Sequence, residues 1–102
     1  MKVKVTRSSG NVFADVGFSP EEAENLKIRA DLLIDLQEAL SKRRMKQSEA
    51  AKMLGVTQPR VSDLMRGRIE LFSIDSMVNM LARLGIKVRV TVKVPRRRAK
   101  VA

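Results

Sequence analysis

The chain has 102 residues, enough for one small domain with one modest core. Lys and Arg number 21 against 11 Asp and Glu, a net charge of +10 that points to a polyanionic partner, nucleic acid before an anionic membrane. The absence of Cys and His excludes disulfides, thiolate metal sites, cysteine nucleophiles and histidine bases, and three Phe without Tyr or Trp leave little for stacking single-stranded bases.

The opening "MKVKVTRSSG" has no apolar h-region, and no run approaches the roughly 18 apolar residues of a membrane span. A cytoplasmic protein with no membrane role is therefore expected. Val3 and Val5 alternate with Lys2 and Lys4, a weak strand signal, and "SSGN" at 8–11 reads as a turn. Residues 1–18 read as an arm, 19–94 as the folded domain and 95–102 as a basic tail.

The stretch "FSPEEAENL" starts a helix. Ser19 is a good N-cap, Pro20 suits the first helical position, and Glu22 completes a capping box. Leu26, Ala30, Leu33, Leu36 and Leu40 give an apolar stripe at steps of three and four, so this helix should span about 20–42. A second helix fits Gln47–Leu54, with Ala50, Ala51 and Leu54 inward and Gly55 ending it. Thr57 caps a third, about 58–66, with Pro59 tolerated in its first turn and Gly67 after it. A fourth starts at Ser73 and ends at Gly85, with Phe72 and Met77 placed as a hydrophobic staple. The period then changes to two. Ile86, Val88, Val90, Val92 and Val94 alternate with Lys87, Arg89, Thr91 and Lys93, which predicts a half-buried strand stopped by Pro95. The fold expected is mainly α, four to five helices with a C-terminal β-strand.

The segment "QSEAAKMLGVTQPRVSDLMR" at 47–66 carries the function. A small residue at Ala51, Gly55 four positions on, and Val61 and Leu64 at ten and thirteen positions make the helix-turn-helix pattern. Its second helix would enter a major groove N-terminal end first. Gln58 is expected on an adenine edge and Arg60 on guanine O6 and N7, with Thr57, Pro59, Ser62 and Arg66 on or beside the same surface. Gln47 and Ser48, at the start of the preceding helix, are expected on a phosphate, as are Arg43, Arg44 and Lys46. The bland alternative is an ordinary helical hairpin with a solvated charged face. Ser48 and Lys52 lie one turn apart but lack a third catalytic group, so no enzyme, metal or cofactor is expected.

At these residues the sequence resembles the phage-repressor-like XRE group and, within it, the small HigA-type antitoxins. The resemblance covers about residues 8–94. It rests on "SGNVFADVGFSPEEAENLKIRADLLI", "QSEAAKMLGVTQPRVSDLMRG" and "LFSIDSMVNMLARLG". It implies a repressor-like domain and a homodimer that binds a double-stranded DNA operator, represses its own operon and neutralises a RelE-like mRNA-cleaving toxin. Lys46 departs from the pattern, because repressor-like sequences often place a capping Thr or Ser there. The second helix thus lacks its usual cap.

Charge blocks add a second surface. Residues 8–40 carry seven acids against Lys27 and Arg29, whereas residues 41–70 carry eight cations against three acids. DNA would be repelled by the first block and a basic toxin attracted to it. Phe13, Asp15, Phe18, Glu21, Glu22 and Glu24 are therefore the expected toxin contacts. Their bland reading is a solvated helix face with the two Phe covering the domain's own core. The strand raises a further expectation. Its apolar face cannot stand as an open edge, so Val88, Val90 and Val92 should pair with Val3–Val5, with a mate's strand, or with both. The rival to the antitoxin reading is a stand-alone helix-turn-helix repressor without a toxin.

Overall fold

A computed structural model describes residues 11–95. Their elements in order are α1 (Val12–Asp15), α2 (Pro20–Arg43), α3 (Gln47–Leu54), α4 (Gln58–Met65), a 3-10 turn (Ile69–Leu71) and α5 (Ile74–Arg83).

Helix α1 is an addition to the sequence reading, which assigned residues 1–18 to an arm with a possible short strand. Asn11 creates it. The Asn11 Oδ1 accepts the Phe13 N–H at 2.9 Å, and its Nδ2 donates to the Ala23 carbonyl at 2.8 Å. One side chain thus starts α1 and fastens it to the first turn of α2. Gly17, at φ 105°, reverses the chain between them. The Val3–Val5 segment lies outside the described residues.

Ser19 begins α2 as expected, its Oγ accepting the Glu22 N–H at 3.2 Å, a cap worth about 1 kcal/mol. The reciprocal bond from Glu22 to the Ser19 N–H is not formed, so only half of the capping box is present. The buried face of α2 is wider than the stripe read from the sequence. Leu33, Leu36 and Leu40 are buried, but so are Ala23, Leu32 and Ala39, whereas Leu26 and Ala30 are half-buried. The reason is that α1, α4, α5 and the 3-10 turn all pack on this one helix. Arg29 fixes the 3-10 turn to it, its Nη1 donating to the carbonyls of Ile69 and Phe72, each at 3.3 Å.

Ser73 caps α5 through the Ser76 N–H at 3.1 Å, and Phe72 and Met77, the expected staple, are both fully buried. With Leu32, Leu36, Val61, Leu64 and Leu81 they make the centre of a single core. Among the described residues, no helix is long and apolar enough to cross a membrane.

The C-terminal strand is a correction. Residues 86–95 form no strand among the described residues. The Ile86 N–H closes on the Leu81 carbonyl at 2.9 Å, and among the described residues no backbone hydrogen bond follows it. Ile86 is buried and Val88 packs against the core, but Val90, Val92 and Val94 are 78%, 80% and 81% exposed. Alternation supplies a pleated face, while a ladder also needs a second strand. The rest of the described chain is helical and offers none.

Candidate nucleic-acid interface

The α3–turn–α4 unit is built by small residues and one glycine. Ala50, Ala51 and Leu54 are buried on α3, and Val61 and Leu64 on α4. The Val56 N–H bonds back to the Ala51 carbonyl at 3.0 Å, which closes the turn. Gly55 has φ 73°, a left-handed conformation that costs a residue with a Cβ roughly 1–2 kcal/mol. Space adds a second requirement. A Cβ there would lie 3.0 Å from the Arg83 Cζ. Arg83 is held in that position because its Nε donates to the Met53 carbonyl at 2.9 Å.

Thr57 then caps α4, its Oγ1 accepting the Arg60 N–H at 3.4 Å. The C-terminal end of α4 is held from α2, where the Gln37 Nε2 donates to the Leu64 carbonyl at 2.9 Å. The helix therefore has a fixed angle on the core, with Val61 and Leu64 inward. Gln58, Pro59 and Arg66 are exposed, and Ser62 is half-buried. Arg60 is half-buried as well, because its guanidinium lies over the Phe72 ring, 4.5 Å from the centroid. Neither Arg60 nor Arg66 pairs with Asp63. That carboxylate meets Arg68 instead, at 3.9 Å.

The start of α3 offers donors. Lys46 stands at the N-cap, and its ammonium has no lone pair with which to accept a helix N–H. Glu49 reaches back to the Lys46 N–H at 3.0 Å, but the N–H groups of Gln47, Ser48 and Glu49 have no partner among the described residues. Gln47 and Ser48 are exposed beside them. Three free N–H groups at the positive end of a helix dipole suit a phosphate.

Of the cations assigned to phosphate, Arg43 has another task. Its Nη2 donates to the Leu84 carbonyl at 2.8 Å, tying the end of α2 to the end of α5. Arg44 and Lys46 are exposed. Arg44 ends α2 in the left-handed region at φ 54°, where glycine is usual. Lys52 and Arg68, absent from the sequence-based assignment, are exposed cations on α3 and just past α4. Both belong to the positively charged 41–70 block, the one signal that could have found them.

The acidic surface lies at the other end of α2, roughly 30 Å away at 1.5 Å per residue. Phe13 and Phe18 meet edge to face with centroids 6.2 Å apart. Phe18, Glu21, Glu22, Asn25, Leu26 and Arg29 line an open groove of about 360 Å³. Asp15 and Glu24 are exposed but outside it, and Phe13 is half-buried outside the main core.

The sequence model of a family described as "Helix-turn-helix domain" matches residues 12–93. A solved structure described as "Putative XRE Family Transcriptional Regulator" is similar at a TM-score of 0.69 and 28% identity, covering 79% of this chain and 91% of the other. No curated protein matches the chain.

Proposed function

This chain belongs to the helix-turn-helix domain family whose model spans residues 12–93, and on that premise we propose that it is a DNA-binding transcriptional regulator of the XRE type. The observation that carries the reading is the α3–turn–α4 unit, with a polar outward face on α4 and unpartnered N–H groups at the start of α3. Gln58 and Arg60 read bases in the major groove, with Thr57, Pro59, Ser62 and Arg66 along the same contact. Gln47 and Ser48 hold one phosphate, and Arg44 and Lys46 add sequence-independent attraction.

The finer proposal is an antitoxin that acts as a homodimer on its own operon and neutralises a RelE-like toxin. Its support is the division of charge along α2. Glu21 and Glu22 flank an apolar groove at one end, and Lys42, Arg43 and Arg44 stand at the other, next to α3. A basic protein and a nucleic acid can thus be bound by separate ends of one helix. Apolar anchors ringed by opposite charge make a plausible protein-binding site.

Two experiments test this. Electrophoretic shifts on the DNA upstream of the chain's own gene should give tighter binding than random DNA of equal length, and equal affinity would refute operator reading. Co-expression with the neighbouring toxin gene should rescue growth, and replacing Glu21, Glu22 and Glu24 with Lys should abolish rescue while operator binding persists. Rescue that survives the substitutions would put the toxin elsewhere.

A further inference from the structure

We propose that Arg29 is a positioning residue for DNA reading: from α2 it holds Phe72 beneath Arg60 and thereby sets how well Arg60 discriminates the operator. The second half of this role rests on the base contact of Arg60, and the first half does not.

Arg29 is anchored at both ends of its guanidinium. Its Nε donates to the Asn25 Oδ1 at 2.7 Å, one turn back on the same helix, which fixes the plane of the group. Its Nη1 donates to the carbonyls of Ile69 and Phe72, each at 3.3 Å. These carbonyls bracket the 3-10 turn, one at its first residue and one just past its last. The turn's own bonds are local. Among the described residues, the N–H groups of Ile69, Leu71 and Phe72 donate to the carbonyls of Gly67, Arg68 and Ile69. Arg29 supplies the hydrogen bonds that reach the turn from another element, and a lone 3-10 turn has poor hydrogen-bond geometry to rely on.

Phe72 is the link to recognition. Its carbonyl is bonded to Arg29, and its ring carries the Arg60 guanidinium 4.5 Å from the centroid. The ring is buried in close-packed surroundings, so its face is aimed by where its backbone stands. The backbone of Arg60 is fixed separately, by the Thr57 cap and the buried Val61. What remains to be set is the fork. A guanidinium reads guanine through two parallel bonds, a geometry that tolerates little rotation. Holding the fork before DNA arrives also removes part of the ordering cost of binding. Loss of Arg29 should therefore weaken discrimination and leave sequence-independent attraction alone. Arg29→Lys separates the two, since it keeps the charge and loses the planar fork.

The test uses the full chain, under conditions where circular dichroism shows every variant folded. The first measurement is the NMR shift of the Arg60 side-chain protons without DNA. A nearby aromatic face moves them upfield. Phe72 is the ring responsible, because Phe13 and Phe18 meet each other at the acidic end and the chain has no Tyr or Trp. Arg29→Lys should return these protons toward ordinary arginine values. The second measurement is the ratio of operator to random affinity at one salt concentration. It should fall roughly 2- to 30-fold in Arg29→Lys, with random affinity and salt slope unchanged. In an Arg60→Ala background, Arg29→Lys should cause no further fall. Asn25→Ala, at an exposed position, loosens Arg29 without removing it. It should move both readouts the same way by less, and it carries the test should Arg29→Lys not fold. Unchanged Arg60 shifts in these variants, an equal loss of operator and random affinity, or an equal fall in the ratio with and without Arg60 would each overturn the proposal. An Arg60→Ala ratio equal to wild type would instead refute base reading by Arg60.

Discussion

Arg60 is the residue on which stability and recognition can be separated. Its guanidinium is 4.5 Å from the Phe72 ring centroid, and Phe72 is buried at the centre of the core. Cation–π contact at a partly exposed site contributes about 0.5–1 kcal/mol. Arg60→Ala should therefore lower folding stability by about that amount, slightly offset by alanine's better helix propensity. A bidentate contact to guanine contributes about 1–3 kcal/mol of discrimination, a factor of roughly 5–150. If the Phe72 face orients the fork of Arg60, a second variant should act on recognition without touching the arginine. Phe72→Leu keeps the site apolar but removes part of the ring's volume, so it should cost about 1–2 kcal/mol of stability. It also frees the guanidinium and should reduce operator discrimination. Urea denaturation gives the stability changes. Titrations of operator and random DNA at one salt concentration, where every variant is fully folded, give the discrimination. Arg60→Ala with the wild-type ratio of operator to random affinity would refute base reading and leave Arg60 as a packing residue. Phe72→Leu with unchanged discrimination would refute the orienting role of the ring.

Further outcomes follow from the same geometry. Gly55→Ala should destabilise by roughly 1–2 kcal/mol in urea denaturation, and by less in an Arg83→Ala background, because the Arg83 Cζ is what the new Cβ meets. Arg44→Gly should raise stability by up to about 1 kcal/mol, since the residue sits at φ 54°; in shift assays it should weaken operator and random DNA alike and reduce the salt slope by about one unit. Asp35 has its carboxyl raised above the ordinary value by burial, and next by the nearby Glu38 and Asp31 charges. The folded state then holds that proton to higher pH than the unfolded state, so the Asp35 charge costs stability above its raised pKa and the cost disappears as pH falls through it. Asp35→Asn should stabilise the protein at neutral pH, with the gain shrinking toward acid in thermal denaturation scans; a gain that is constant with pH would refute this account.

The helices were legible because their signals are local. Ser19, Thr57 and Ser73 each accept the first-turn N–H that their sequence position implied, and α3 spans the same residues in the structure as in the sequence reading. Helix α1 was not legible. Four residues have no period, and the helix depends on Asn11 reaching the Ala23 carbonyl, twelve positions away. The extent of the α2 face was underread for a related reason, since several partners pack around one helix and no single stripe describes it. The strand at 86–94 was misread in the single chain because alternation records which faces a strand would have. It does not record whether a neighbour exists to pair with.

The same distinction governs the arginines. A net charge of +10 counts every cation as an attraction for DNA. In the fold, Arg29, Arg43 and Arg83 each donate to a main-chain carbonyl 30 to 43 positions away: Arg29 to Ile69 and Phe72, Arg43 to Leu84, and Arg83 to Met53. These bonds hold the 3-10 turn to α2, the end of α2 to the end of α5, and the end of α3 to α5. An arginine with its fork directed at a carbonyl has given up part of the geometry that a phosphate would use. The cations that remain exposed at the α3–α4 end, Arg44, Lys46, Lys52, Arg66 and Arg68, are then the ones expected to set the salt dependence of DNA binding. Recognition by the helix-turn-helix and rigidity of the core thus draw on one residue type, and hydrogen-bond partners rather than sequence position divide the two roles.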